Sequence, residues 1–162
     1  MAYQRLQVSE GLAVIPSDTV PIPDPATEVT SGTTVGAALA FKLVDTGVDF
    51  TTMGIQTNAI VYNTTDTTCA FVTAVDDANT LSLSADIMAI GENYTIYNAA
   101  TKAATLYIGT TGDLVVEMAS ERDSQATPSL TFYNVPSSAF LPILVTKVGI
   151  SSSPNMNIIA LW

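Results

Sequence analysis

The run Thr105-Leu106-Tyr107-Ile108-Gly109, with the turn Thr110-Thr111-Gly112-Asp113 and the run Leu114-Val115-Val116-Glu117-Met118, decides the fold class. Leu114, Val116 and Met118 fall on one side of the chain and Glu117 on the other, which is the period of a half-buried strand. The pattern returns in Leu130-Thr131-Phe132-Tyr133-Asn134, continues from Phe140 to Ile150, and closes with Asn157-Ile158-Ile159-Ala160-Leu161-Trp162. The stretch from Thr105 to Trp162 therefore reads as four or five short strands that need one another. Terminal residues normally fray, so Leu161-Trp162 are expected to be tied into a sheet or a partner.

Within this stretch, Phe140 to Ile150 is apolar on both alternating faces, with Leu141, Ile143 and Val145 on one and Leu144 and Val148 on the other. Such a strand is central in a two-layer sandwich or covered by another subunit. Pro142 cannot donate to a ladder, so an edge or a bulge is expected there.

Working towards the N-terminus, Ala59 to Asn63, Cys69 to Val75, Thr80 to Ser84 and Asn93 to Tyr97 also read as strands. They are joined by Asn63 to Thr67 and Asp76 to Asn79, whose side chains turn the backbone. Ser84 to Met88 suggests one helical turn, and the second half of Ala37 to Val44 a strand. Long helices are not expected anywhere. Residues 35–98 are thus expected to form a small antiparallel barrel, and residues 99–162 a β-sandwich or jelly-roll-like module. Ahead of them, residues 1–34 read as an extended arm, stiffened by Pro16, Pro21, Pro23 and Pro25. The fold class is all-β, two small antiparallel modules behind an N-terminal arm. The arm is read as a docking segment in preference to a linker, because its apolar residues would be wasted in a linker.

The pieces Leu106-Tyr107-Ile108-Gly109, Gly112-Asp113-Leu114, Val135-Pro136, Phe140-Leu141-Pro142, Val145-Thr146-Lys147-Val148 and Ile159-Ala160-Leu161-Trp162 follow one another along the last third of the chain. With Ser17-Asp18-Thr19 near the start, they resemble the head-spike base proteins of tailed phages and gene transfer agents. The chain departs from that pattern at Ser137-Ser138, where a glycine is usual, in the longer charged loop from Ser120 to Pro128, and in the inserted module. The resemblance implies a virion structural protein on the outer capsid surface, made in the host cytoplasm, of the decoration (cement) or spike-base kind. Its implied partners are the major capsid protein or neighbouring virion proteins and further copies of itself, a trimer among the arrangements that suit. Val14, Ile15, Val20, Pro21 and Ile22 of the arm, with Leu141, Ile143, Val145 and Trp162, are the expected partner-binding residues.

Composition bounds the chemistry. Fifteen acidic residues against five basic ones give a net charge of -10. Such a chain repels phosphate backbones, so nucleic acid is not an expected ligand. No apolar run reaches the ~18–20 residues of a membrane-spanning helix, and no secretion signal opens the sequence, so neither a membrane nor export is expected. The absence of histidine removes Ser-His-Asp and Cys-His arrangements and the commonest metal ligand. Cys69 sits in an apolar strand pattern and reads as inert.

An enzyme is not expected, and no cofactor. Asp45 with Asp49, and Glu117 with Glu121, are the pairs weighed for glycosidic cleavage, and all read as solvated. Asp76, Asp77 and Asn79, with Asp66, offer oxygen ligands for calcium, but turn stabilisation accounts for them as well. Two alternatives to the capsid role stay open. One is a tail baseplate or fibre-adaptor part. The other is a glycan-binding module using Tyr62, Tyr94, Tyr97 or Tyr133.

Overall fold

In the computed structural model, residues 8–99, 103–120 and 128–162 are described. The chain divides into two compact units, one of Met1–Ile22 with Lys102–Trp162 and one of Pro23–Thr101. All-β character holds: the described residues contain strands and two short 3-10 turns, Pro25–Thr27 and Phe50–Thr52, and no α-helix. Two antiparallel sheets of six strands each carry the fold.

The first unit contains β1 (Gly11–Ala13), and the second, inserted unit β2 (Glu28–Thr33), β3 (Lys42–Val44), β4 (Ile60–Asn63), β5 (Thr68–Val75), β6 (Thr80–Leu83) and β7 (Asn93–Tyr97). The chain then returns to the first unit with β8 (Ala104–Ile108), β9 (Gly112–Met118), β10 (Leu130–Val135), β11 (Ala139–Val148) and β12 (Ile158–Leu161).

In the first unit the strand order is β1-β12-β8-β11-β9-β10. Alternation sends Ala104, Leu106 and Ile108 of β8, Leu114 and Val116 of β9 and Ile158 and Ala160 of β12 into one core. The C-terminal residues are tied in as expected, between β8 and β1.

Pro142 lies in an interior strand, and the ladder adapts around it. The β11–β8 register slips between Leu141, opposite Leu106, and Val145, opposite Ala104, so the proline sits in a bulge. A second slip, between Val145 and Lys147, turns both Val145 and Val148 into the core. Strict alternation had put those two valines on opposite faces, and the bulge is the reason it failed.

The N-terminal arm is not a separate body. β1 pairs with β12, Val14 N–H donates to Ile158 O at 2.9 Å, Ser17 N–H to Val148 O at 2.7 Å and Ile22 N–H to Thr146 O at 2.9 Å. The Ser17 hydroxyl accepts Val20 N–H at 3.0 Å, closing a turn, and Asp18 Oδ1 accepts Ile150 N–H at 3.0 Å. Ile15, Val20 and Ile22 are buried by this docking. The later part of the expected arm forms β2, an edge strand of the second unit.

At the β10–β11 turn, Ser138 has φ +57°, a left-handed conformation that favours glycine. Ser138→Gly is expected to raise stability by about 0.5–1 kcal/mol in a urea melt. A loss of stability would mean that the hydroxyl contributes more than the backbone strain costs.

The second unit orders its strands β2-β7-β4-β5-β6-β3 around Leu43, Phe50, Val61, Val72, Leu81, Tyr94 and Ile96. It is not a closed barrel. The edge strands β2 and β3 do not pair; beyond their ends the chain meets at one isolated bridge, Val35 with Asp45, where Thr46 N–H donates to Val35 O at 2.9 Å. The stretch from Ser84 to Met88 forms no helical turn. Its residues are spent on side-chain contacts instead: Ser84 Oγ accepts Phe71 N–H, and Asp86 Oδ1 accepts Phe41 N–H.

Candidate functional site

The residues singled out in the sequence as partner contacts are mostly consumed by the chain itself. Ile15, Val20, Ile22 and Val145 are buried. Val14, Leu141, Ile143 and Trp162 are partly buried against the first unit's core, and Pro21 is half-buried. None of the nine forms a free apolar surface. They fold the unit before they can meet a neighbour.

The carboxylates weighed for catalysis also stand differently from expectation. Glu117 is buried, not solvated: its carboxylate accepts Lys147 Nζ at 2.7 Å and Thr146 Oγ1 at 2.8 Å, with the Lys147 and Glu117 side chains only 4% and 5% exposed. Asp45 is buried too, accepting Tyr94 O–H at 2.7 Å and Gly47 N–H at 2.9 Å. Burial, and then Asp45, hold the Tyr94 phenol far above its usual range, so it stays a donor. Asp49 caps the Phe50–Thr52 turn through Thr51 N–H. Glu121 lies outside the described residues. Asp45 and Glu117 thus act as internal hydrogen-bond acceptors.

The oxygen-rich turn between β5 and β6 is equally engaged. Lys42 binds Asp76 at 2.6 Å and holds its carboxyl below the usual range, Asp77 Oδ1 accepts Asn79 N–H at 2.8 Å, and Asn79 Nδ2 donates to Val48 O at 2.6 Å. Among the described residues no group of three or more His, Cys, Asp or Glu is placed to hold a metal ion. Of the tyrosines, Tyr62, Tyr94 and Tyr97 are buried, whereas Tyr133 is 74% exposed. A stacking platform would rest on Tyr133.

What the first unit leaves open is part of the sheet face opposite its core, around Phe140 and Ile159 and away from the buried Val115, Glu117 and Lys147. Phe140 stands opposite Tyr107 across β11–β8, Tyr107 opposite Ile159 across β8–β12, and Ile159 opposite Ala13 across β12–β1. This places one apolar row across four strands. Phe140 and Ile159 are exposed, as are Leu144 on β11, Tyr133 on the edge strand β10, and Ile150. Exposed apolar groups such as Phe140 and Ile159 on one sheet face mark a contact surface.

Comparison with protein-family models, with curated proteins and with solved structures gives no match. The functional reading therefore rests on the chain's own residues.

The second unit carries a different arrangement. Asp66, Asp86 and Glu92 line an open cleft of about 270 Å³ with Thr68 and the stretch from Ile87 to Ala89. Glu92 accepts Ala89 N–H and the Asn63 amide, which hold it ionised and lower its pKa, while its contact and charge push Asp66 up.

A raised folded pKa at Asp66 gives stability that is present below its unfolded value and lost as pH rises through the folded one. Glu92, lowered, contributes stability present above its unfolded pKa and lost as pH falls through the folded one. Asp66→Asn is thus expected to melt higher than the wild type at neutral pH. The gap should vanish once the pH falls below the ordinary carboxylate range. Calorimetry across a pH series checks this, and a gap that widens in acid would contradict it.

Proposed function

We propose that this chain is a non-enzymatic structural protein of a tailed-phage or gene-transfer-agent particle. It is a capsid decoration (cement) or head-spike base component, bound to the outer shell and to further copies of itself. The observation that carries the reading is the apolar row Phe140–Tyr107–Ile159–Ala13, left open on the sheet that the phage-like pieces build.

The resemblance gains support from its own coherence. Ser17-Asp18-Thr19, distant in sequence, docks on the late pieces through Ser17 N–H to Val148 O and Ile150 N–H to Asp18 Oδ1. Those residues are spent on making one unit, which explains why they would travel together with the C-terminal pieces.

Association through the apolar face works against a net charge of -10 on every copy. Salt screens that repulsion over about 10 Å at 0.1 M, so self-association strengthens as salt is added. Main-chain pairing along β10, bound on one side by β9 alone, extends the contact.

Immunogold labelling of particles released from cells that encode the chain tests the proposal. Gold on the outer surface of the head is the expected result. Gold confined to the tail tip would replace it with a baseplate or fibre-adaptor role, and unlabelled particles would contradict it.

A further inference from the structure

Four large apolar side chains are exposed among the described residues of the second unit: Val35, Leu39, Phe41 and Ile90, each at least half accessible. All four lie on two loops, 34–41 and 84–91. The loops are tied together: Thr34 Oγ1 donates to Ala89 O at 2.6 Å, Gly91 N–H to Thr34 O at 3.1 Å and Phe41 N–H to Asp86 Oδ1 at 3.0 Å. The apolar groups therefore sit on a built surface.

Phe41 is unfavourable twice over. Its φ of +59° lies in the left-handed region, where a side chain costs roughly 1–2 kcal/mol. Its ring is also 53% exposed and recovers little of that by burial. Strain spent to hold an aromatic ring in water points to contact with something else.

The cleft of Asp66, Asp86 and Glu92 adjoins these loops, since Asp86 and Ala89 belong to both. Lys42, the cation described in this unit, is turned to Asp76. The surface thus combines an aromatic and aliphatic ridge with an acidic hollow.

We propose that this end of the second unit docks a segment of another protein that presents a Lys or Arg flanked by apolar side chains. The cation enters among Asp66, Asp86 and Glu92, and its neighbours cover Phe41 and Ile90. Charge complementarity selects this occupant, a basic side chain facing three carboxylates. The chain has 15 acidic residues against 5 basic ones, and both described cations, Lys42 and Lys147, are already in ion pairs. The inference stands on the second unit alone and does not depend on the phage reading.

The test is to pan a random dodecapeptide library on the immobilised full chain, then measure the selected peptides against two variants. Phe41→Ser with Ile90→Ser removes the ridge, and Asp66→Asn with Asp86→Asn removes charge while leaving an oxygen acceptor for Phe41 N–H. The side chains changed are exposed, so both variants should keep the wild-type circular dichroism, Phe41→Ser with Ile90→Ser should keep a cooperative melt, and Asp66→Asn with Asp86→Asn should melt no lower than the wild type. The expected peptides carry Lys or Arg beside aliphatic or aromatic residues, lose about tenfold or more in affinity on either variant, and weaken at high salt. Neutral or acidic peptides, binding that survives either double substitution, or no enrichment would overturn the proposal.

Discussion

Glu117→Ala is expected to destabilise the protein by about 3–5 kcal/mol, read from urea denaturation at neutral pH. The carboxylate meets Lys147 Nζ at 2.7 Å and Thr146 Oγ1 at 2.8 Å where almost no water reaches either charge. Removing it takes the carboxylate away from an ammonium group and a hydroxyl held out of water, and the cost of leaving those contacts unmade sets the magnitude. The control is Glu117→Leu with Lys147→Met, which replaces both charges by apolar groups of similar volume. It should return to within about 1 kcal/mol of the wild type. If Glu117→Ala cost no more than about 1 kcal/mol, as surface pairs do, the pair would be solvated and the register of β9 against β11 would be in doubt.

Deletion of residues 1–22 is expected to unfold the first unit outright. Ile15, Val20 and Ile22 are buried in it, and each contributes about 1.5–3 kcal/mol by leaving water. Their loss is comparable with the whole stability of a typical domain, about 5–15 kcal/mol. The deletion also strips β1 from β12 and exposes that edge. Hydrogen exchange on the truncated chain should find amides of β8 to β12 exchanging at unfolded rates and those of β4, β5 and β7 still protected. Persistent protection in β8 and β9 would mean that the arm is an accessory and not part of the core.

These two results separate what the sequence makes legible from what it hides. Strands β4 to β12 follow from alternation and turn chemistry, because each is decided within a few residues. The all-β class is visible for the same reason. Partners across strands are not local. Asp45 and Tyr94 are separated by 49 positions and Glu117 and Lys147 by 30, so carboxylates in polar-looking positions read as solvated although each has a buried partner. The arm misled in the opposite sense. The apolar residues among the prolines point to a docking segment, but nothing in composition says whether it docks on a neighbour or on its own sheet, and hydrogen bonds to Thr146, Val148 and Ile158 decide for the latter. Phe41 was hidden in an alanine-rich stretch of ambiguous propensity, and its backbone strain has no sequence signal at all.

The central proposal is that the apolar row Phe140–Tyr107–Ile159–Ala13 on the first sheet is covered by further copies of this chain. Sedimentation equilibrium of the intact protein over a series of concentrations and salt strengths tests that most directly. The predicted result is a mass above that of one chain, rising with concentration and with added salt as the acidic surfaces cease to repel. A single-chain mass at every concentration and salt strength would contradict it.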